Sequence, residues 1–357
     1  MEEIKTRIRQ WAHDLGFQEV GFSNLDLTAH EDYLRTWLSN GFHGSMTYMT
    51  RNQDLRIHPQ ELLTGSMSAI AVRMDYLPEN GHQRIRSSLK SKHLAYISRY
   101  ALGRDYHKVI RAKLKRLANQ INEHITRENL GPFYSRACTD SAPVLEKHLA
   151  ERSGLGWIGK NTLLMNRSAG SWFFLGELLT NLPLAQASES PSNHCGSCTA
   201  CLSVCPTQAI VAPYVLDARK CISYLTIENR GSIPKALRSA IGNRIFGCDD
   251  CQLVCPWNRY AQASQEIDFQ TRHKLDNATL LELFQWSESE FSTKTEGSAI
   301  RRTGYEGWLR NIAIALGNAP GSTTIQKSLI AKQPDCSEMV AEHIQWAIHE
   351  QADKLSG

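Results

Sequence analysis

The chain has 357 residues, and its 40 Lys and Arg against 36 Asp and Glu give a formal net charge of +4. This length allows two or three domains with a substantial core, and the mild positive charge permits a polyanionic partner without requiring one. The first residues show neither an apolar signal segment nor a twin-arginine pair, and no stretch approaches the ~20 apolar residues of a membrane span. The sequence therefore excludes a membrane protein and predicts a cytoplasmic one.

Residues 1–185 have the pattern of a mixed α/β domain. An amphipathic helix opens the chain, and residues 67–77 and 171–179 contain the apolar runs expected of strands. Between them, residues 105–125 place apolar side chains on one face, which predicts a long amphipathic helix. The polar composition of residues 185–194 predicts a linker to the next region.

Two places in this first region are candidates for chemistry. Asp140 stands in the turn TDSAP before a predicted helix over 144–152, where a carboxylate normally caps the helix. Buried beside a bulky apolar cofactor, Asp140 would instead have a raised pKa and hold a proton for delivery. Asp105 and His107 begin the Asp-x-His-x-x-Gly signature of proteins that supply a histidine to cobalamin, but Ile110 replaces the glycine. His107 is therefore not assigned as a cobalt ligand.

Eight of the ten cysteines lie between residues 195 and 255. A first run, CGSCTACLSVCP, is followed by a single cysteine in ARKCISYLTIE and by a second run, CDDCQLVCP. In bacterial ferredoxins, three cysteines of such a run bind one cluster and the fourth binds the other cluster. The sequence therefore predicts two [4Fe-4S] clusters, one held by Cys195, Cys198, Cys201 and Cys255, the other by Cys205, Cys221, Cys248 and Cys251.

Zinc is the competing metal, because four-cysteine zinc sites use the same Cys-x-x-Cys spacing. A zinc ribbon built from the first pair of each run leaves four cysteines unused, whereas two iron–sulfur clusters use all eight. A secreted disulfide framework is a second alternative, and the size of the chain and its missing signal count against it. We expect the two remaining cysteines, Cys138 and Cys336, to be small buried apolar side chains.

The cysteines define a ferredoxin-like module over 186–262, with an insertion at 222–247, and a helical region follows over 263–357. Its amphipathic segments, one of them with a cap-like Asn277, suggest a small HEAT-like stack. The insertion is basic, with Arg230, Lys235, Arg238 and Arg244. The C-terminal region is also basic and has aromatic residues beside its arginines: Arg301, Arg302 and Arg310 with Tyr305 and Trp308. Such surfaces are compatible with RNA, although for either one alone a solvated helix face is the stronger interpretation.

The longest motifs together resemble those of one protein family. They are CTDSAPVLEKHLAERSGLGWIGKN, the two cysteine runs, CISYLTIE, FGCDDCQLVCPWN and IRRTGYEGWLRNIAIALGN. With them the chain resembles, from near residue 10 to the C-terminus, the epoxyqueuosine reductases, which are cobalamin-dependent iron–sulfur enzymes of tRNA queuosine biosynthesis. Reductive dehalogenases are similar more distantly.

The resemblance implies reduction of the epoxide of epoxyqueuosine, at the wobble position of tRNA, to the alkene of queuosine. It implies cob(I)alamin as the nucleophile, formed from cob(II)alamin by electrons from the clusters, because no side chain supplies so strong a nucleophile. Asp140 matches the proton donor of the family. The residues implied to lie at the corrinoid are Arg56, Tyr100, Asp105, Asp140, Lys160, Asn161 and Asp249, the last with Asp250 where the cluster module meets the corrin. Those implied to contact tRNA are Ser223, Arg230, Lys235, Arg238, Arg301 and Arg302.

The resemblance also implies a tRNA partner with a GUN anticodon and an electron donor that the sequence does not identify, and we expect a monomer. Three alternatives stay open at this point. One is a cytosolic corrinoid iron–sulfur reductase of a small molecule, similar to a dehalogenase. The others are a non-catalytic electron carrier and a nucleic-acid-binding protein with structural clusters.

Overall fold

The structure, a computed structural model, describes residues 2–79, 81–185 and 193–356. Most of the predicted linker, residues 186–192, lies outside this part. Within the described residues, no helix is both long and apolar enough to cross a membrane. The mixed α/β region, the cysteine-rich module and the helical C-terminal region follow one another as predicted, which confirms the fold class.

An antiparallel sheet forms the centre of the first region. Its strands, with three short ones outside the sheet, are β1 (Glu19–Ser23), β2 (Ser68–Asp75), β3 (Tyr96–Ile97), β4 (Ser135–Cys138), β5 (Trp157–Ile158), β6 (Leu164–Met165) and β7 (Phe173–Thr180). The strand order in the four-stranded sheet is β1-β2-β7-β4. The two strands predicted from the apolar runs are thus the central pair, and every residue of β2 is buried.

Helices cover both faces of this sheet. They are α1 (Glu2–Asp14), α2 (Glu31–Ser39), α3 (Thr47–Thr50), α4 (Gln53–Ile57), α5 (Gly81–Lys90), α6 (Tyr106–Arg127) and α7 (Glu146–Arg152). Because side chains of a strand alternate between its faces, Ile70 and Val72 pack in one core with Ile110 of α6, and Ala71 packs in another with Ala150 of α7. The predicted helix over 105–125 is confirmed as α6.

The cysteine-rich module consists of short elements around the cysteines. They are α8 (Ala200–Val204), β8 (Ile210–Ala212), β9 (Val215–Leu216), α9 (Ile222–Ile227), α10 (Lys235–Ile241), β10 (Arg244–Phe246) and α11 (Asp250–Leu253). β10 pairs in parallel with β3 of the first region. The insertion therefore attaches the module to the α/β region through backbone hydrogen bonds.

The longer elements of the C-terminal region are helices. It contains α12 (Leu280–Phe284), α13 (Glu288–Lys294), α14 (Gly304–Asn318), α15 (Thr323–Lys332) and α16 (Glu338–Ser356), with α16 packed against both α14 and α15. The predicted cap at Asn277 is wrong. Thr279 caps α12 instead, because its hydroxyl accepts a hydrogen bond from the Glu282 backbone N–H at 3.1 Å.

One hydrophobic core joins all three regions. Ala95 and Ile97 from the first region pack with Phe246 from the insertion and with Trp308 and Ile312 of α14. The α/β region, the cysteine module and the helices are therefore packed against one another, and the predicted domain limits stay a prediction. This packing brings the cysteines close to the residues described next.

Candidate functional site

Asp140 lies in the loop between β4 and α7, and its backbone has a left-handed φ of 55°. Its Oδ2 accepts a hydrogen bond from the Tyr106 hydroxyl at 2.5 Å and lies 3.1 Å from His107 Nε2. The Asp140 backbone N–H donates to the Glu146 carboxylate. A non-glycine residue adopts this backbone only against a steric cost, so these contacts hold the Asp140 side chain in position.

Asp140 does not cap helix α7. The helix begins at Glu146, later than the predicted residue 144, and its N-cap position is Leu145. Asp140 precedes the first turn by too many residues to accept a hydrogen bond from its backbone N–H groups. The capping interpretation is therefore wrong, and the carboxylate is available to the space that it faces.

His107 lies between two carboxylates at the first turn of α6. Asp105 is the N-cap of α6, and its Oδ1 lies 3.1 Å from the His107 backbone nitrogen and 2.8 Å from Nδ1. Burial alone would lower the pKa of His107, but hydrogen bonds to Asp105 and Asp140 outweigh it and raise this pKa to about 9. Burial is likewise outweighed at Asp140, whose pKa is lowered by His107 and Tyr106. At neutral pH the proton of this pair therefore resides on His107.

Two more carboxyl groups lie near Asp140, one buried and one half-buried. Glu177 on β7 has no exposed surface, and Glu146 at the start of α7 is its neighbour. Burial, strengthened by Glu146, raises the pKa of Glu177, and burial with the charge of Asp140 raises the pKa of Glu146. Two such carboxyl groups in contact do not both ionise, so this pair retains a proton at neutral pH.

The Asp140 side chain is 61% exposed. We call the solvent-facing space beside it, next to Tyr48, Arg56, Tyr100 and Arg302, the reaction pocket. These four side chains all lie within electrostatic reach of the Asp140 carboxylate. The buried Arg56 Nε has no hydrogen-bonding partner among the described residues. Buried donors are normally satisfied, so this one indicates a place for an acceptor that the chain itself does not supply.

The cysteines of the two runs meet in space, although long segments separate them in sequence. One cavity of ≈220 Å³ is lined by the following thiols: Cys195, Cys198, Cys201 and Cys255. The last of these comes from the second run, as the exchanged ligation of bacterial ferredoxins requires. Of the other set, Cys221 lies within electrostatic reach of Cys205 and of Cys251.

This arrangement differs from a zinc site. Zinc draws its sulfur ligands to about 2.3 Å from one point. A zinc ribbon would bring Cys195 and Cys198 to Cys248 and Cys251, whereas the thiols that line the cavity with the first pair are Cys201 and Cys255. Thiols arranged around a cavity are suited to a cluster with a volume of its own.

Asp249 connects the second cysteine run to the reaction pocket. It is 1% exposed, and its carboxylate accepts hydrogen bonds from the Tyr96 and Ser98 hydroxyls at 2.5 Å each and from the Arg99 N–H at 2.9 Å. The next residue, Tyr100, is within electrostatic reach of both Asp249 and Asp140. The second cysteine run and the catalytic candidate therefore both lie close to one segment.

Comparisons with known proteins agree with this geometry. Residues 56–141 match the family model described as "Epoxyqueuosine reductase QueG, DUF1730", and residues 194–258 match the 4Fe-4S double cluster binding domain. The epoxyqueuosine reductase of Pseudomonas aeruginosa is 55% identical over 341 residues, which are 96% of this chain and 92% of that protein. That of Escherichia coli is 51% identical over 354 residues, 99% of this chain and 91% of that protein. This chain belongs to the epoxyqueuosine reductase family.

Solved structures of epoxyqueuosine reductases have the same fold. One, bound to an epoxyqueuosine-modified stem loop of tRNA-Tyr, has a TM-score of 0.82 at 25% identity and covers 98% of this chain and 99% of its own. Another, from Bacillus subtilis with its catalytic aspartate loop swung out of the active site, has a TM-score of 0.86 at 27% identity, covering 99% and 93%. The module with eight cysteines is thus an iron–sulfur module, and the zinc and disulfide alternatives are set aside.

The structure removes from solvent Arg238, a predicted tRNA contact, and Trp308, an aromatic residue of the RNA-compatible C-terminal run. Arg238 is 1% exposed, pairs with Glu342 at 2.7 Å and donates to the Ile233 carbonyl. Trp308 is completely buried and stacks on Trp286. A buried guanidinium or ring cannot meet a phosphate or a base, so the assignment of Arg238 to tRNA is wrong and Trp308 offers no stacking face. The sequence did not predict this burial, because basic and aromatic residues repeat at helical spacing whether or not they face the core.

Two other arginines of the basic runs have structural roles. Arg310 is completely buried and donates to the carbonyls of Leu225, Asn229 and Gly231. Arg244 forms two hydrogen bonds to the Asp250 carboxylate at 2.7 Å each. These arginines hold the insertion against α14 and the second cysteine run, so their charges are not available to RNA.

Four basic residues of the two runs remain exposed: Arg230, Lys235, Arg301 and Arg302. Arg230 donates to the carbonyls of Arg302 and Thr303. The Arg302 guanidinium forms two hydrogen bonds to the Glu228 carboxylate and lies within electrostatic reach of Asp140. Sequence reasoning missed Tyr48, whose exposed ring lies 5.8 Å from the Arg302 guanidinium. It gave no signal because a single tyrosine in a four-residue helix has no distinctive spacing.

The other predicted contacts lie in different places. Lys160 donates to the carbonyls of Gly196 and Cys198 at 2.6 and 3.0 Å, so it and Asn161 lie against the first cysteine run. Ser223 is half-buried on α9, next to Cys221. Cys138 is buried as predicted, while Cys336 is half-buried against the C-terminal core.

We expect the His107 imidazole to titrate near pH 9, well above the ~6.5 of a free histidine. In Asp105→Asn one of its two carboxylate partners loses its charge, so the pKa of His107 should fall towards the ordinary value. A pH titration by NMR of histidine-labelled protein measures the pKa of His107 in the wild type and in Asp105→Asn, with the exposed His13 as an internal reference. A wild-type value at or below the free value, or no change in Asp105→Asn, contradicts this assignment.

Proposed function

We propose that this chain reduces the epoxide of epoxyqueuosine in tRNA to the alkene of queuosine. The observation that carries the proposal is the placement of Asp140, with its proton-bearing partner His107, in an open pocket beside an iron–sulfur module. Family membership supports the reaction, and the relative bound to an epoxyqueuosine-modified stem loop supports the substrate.

Cobalamin is the proposed cofactor of the reaction pocket. A corrin carries amide side arms that accept and donate hydrogen bonds, and the unsatisfied Arg56 Nε is a donor of the kind that such an arm needs. The Tyr100 hydroxyl, whose pKa burial raises, stays neutral and offers a further donor. The residues present therefore fit the group, with Arg56, Tyr100 and Asp140 as its holders; the corrinoid roles of Lys160 and Asn161 stay predictions. When bound, reduced cobalamin supplies the nucleophile that no side chain provides.

The residues of the chain supply the protons. Deoxygenation of an epoxide to an alkene and water consumes two electrons and two protons. Asp140 is ionised and hydrogen-bonded to protonated His107, so the proton that Asp140 delivers to the epoxide oxygen comes from His107. The Tyr106 hydroxyl orients the Asp140 carboxylate, and Glu146 fixes its backbone. General acid catalysis of this kind requires a proton within hydrogen-bond reach of the oxygen that accepts it.

When bound, the two predicted clusters would supply the electrons one at a time. We assign the first cluster to the four thiols around the cavity and the second to the remaining four, with Asp249 beside the second. Because Asp249 and Asp140 both neighbour Tyr100, the second cluster is the one next to the reaction pocket.

We assign tRNA to the exposed basic surface of Arg230, Lys235, Arg301 and Arg302. Guanidinium and ammonium groups bind phosphates, and the exposed ring of Tyr48 offers a stacking face for a base turned towards Asp140. We expect a monomer in the cytoplasm, where tRNA is found. A small-molecule corrinoid reductase would need neither this surface nor Tyr48.

We expect Asp140→Asn to lower the conversion rate by about 10²–10⁴, the usual contribution of a general acid. Asparagine keeps the size and an acceptor oxygen but cannot pass on a proton. The assay combines cluster-loaded protein, cobalamin, a chemical reductant and epoxyqueuosine-bearing tRNA without oxygen. Mass spectrometry of the digested tRNA then follows the loss of one oxygen atom.

The matched control is Asp14→Asn, at the end of α1 and exposed, which should convert at the wild-type rate. Full turnover by Asp140→Asn would sink the acid role. No conversion by the wild-type protein, with clusters and cobalamin both bound, would favour the small-molecule reductase instead.

We expect Lys235→Gln with Arg301→Gln to weaken binding of the epoxyqueuosine stem loop and to flatten its salt dependence. Removing one cation that binds a phosphate should lower the slope of log K against log salt by about 1. Filter binding across a salt series measures the slope. Arg116→Gln, an exposed arginine of α6, is the control; an equal effect there, or an unchanged slope in the double variant, argues against this surface.

A further inference from the structure

The proposed reaction consumes two electrons per epoxide, and one face of the molecule has the composition expected where they enter. We propose that an acidic one-electron carrier protein docks on the face formed by residues 193–204, Arg167, Trp257, Arg259 and Tyr260, here called the electron-entry face. This inference rests on the proposed function, and it adds a partner and the surface that receives it.

Exposure identifies this face as the outer end of the electron route. Cys198, which lines the first cavity, is exposed to solvent. The second cysteine run is held from the other side, where Asp249 binds the segment that ends at Tyr100. Electron transfer needs close approach of the donor, and the first cluster is the one that a second protein can approach.

Apart from the cysteine thiols, the charged side chains that line the first cavity are positive. Residues 193–216 contain no Lys, Arg, Asp or Glu. The cations come from neighbouring segments: Arg259 is exposed at the cavity, and Lys160 Nζ lies on the carbonyls of Gly196 and Cys198. None of the described residues that line the cavity is acidic. A positive patch steers an acidic partner and raises its association rate.

Arg167 adds a third cation through close backbone packing. The loop that carries it ends at Gly170, where an added Cβ would lie 2.1 Å from Asn258 Oδ1. This loop therefore packs directly on Asn258, and Arg167, three residues before Gly170, is exposed. Glycine at 170, with a φ of 67°, permits this approach.

Aromatic rings supply the rigid part of the face. Trp157, His194 and Trp257 pack together, with Trp157 and Trp257 edge to face at 5.2 Å. Tyr260 is 39% exposed, and the Arg259 guanidinium lies 4.6 Å from its ring. Tyrosine, tryptophan and arginine are the residues enriched at protein interfaces, and electron-transfer complexes are small enough for such a cluster to dominate.

The electron balance of each encounter is simple. The reduced carrier loses one electron, the first cluster gains it, and no bond is made or broken. Two encounters supply one turnover, and the two protons come from the Asp140 side of the protein. The carrier class is thus a low-potential protein that transfers single electrons.

The test uses cluster-loaded wild-type protein and an Arg167→Glu, Arg259→Glu double variant. Each is mixed without oxygen with a reduced acidic plant-type [2Fe–2S] ferredoxin, and cluster bleaching is followed by stopped flow. We expect the double variant to be reduced at least about tenfold more slowly at low salt, and the wild-type rate to fall as salt is added. Reduction by dithionite should be equal in both proteins, because a small reductant needs no docking.

Arg116→Glu on α6 is the matched charge reversal, and it should be reduced by ferredoxin at the wild-type rate. Equal ferredoxin rates in wild type and double variant overturn the proposal, as does an equal loss in Arg116→Glu. If the double variant holds less iron, Arg167→Glu alone decides, since Arg167 does not line the cavity. The assay contains neither tRNA nor cobalamin, so its outcome is independent of whether the proposed tRNA reaction occurs.

Discussion

The buried carboxylate of Asp249 is the contact on which the arrangement of this molecule depends. It lies between two cysteines of the second run and accepts three hydrogen bonds from residues 96–99. A buried carboxylate is costly unless its lone pairs are satisfied, so the second cysteine run cannot move away from this segment without leaving it unpaired. The parallel pairing of β10 with β3 holds the same junction from the backbone. Asp140 and the second cysteine run are thereby both held near Tyr100.

The residues that hold protons are separate from the cysteines that are predicted to hold the clusters. His107 keeps its proton because Asp105 and Asp140 face its two ring nitrogens. Asp140 is in turn oriented by Tyr106 and by its own strained backbone, whose N–H is held by Glu146. Together these contacts hold the Asp140 side chain in position beside His107.

Much of the fold was predictable because apolar periodicity and cysteine spacing are local. The central strands, helix α6 and the joining of Cys255 with the first run all follow from patterns within a few residues or from ferredoxin chemistry. Contacts between distant segments were not predictable. His107 was set aside as a cobalt ligand, and nothing in its own segment places it 3.1 Å from Asp140. The burial of Arg238 and Trp308 was not predictable either, because the sequence shows charge and aromaticity but not which way a helix faces.

The central claim is that the reaction pocket holds cobalamin beside the second cluster, and magnetic coupling tests it most directly. Electron paramagnetic resonance of the cluster-loaded protein with cob(II)alamin is recorded before and after the clusters are reduced. The account predicts that the cob(II)alamin signal broadens or splits when the neighbouring cluster becomes paramagnetic. A cob(II)alamin signal that stays unchanged beside fully reduced clusters would contradict it.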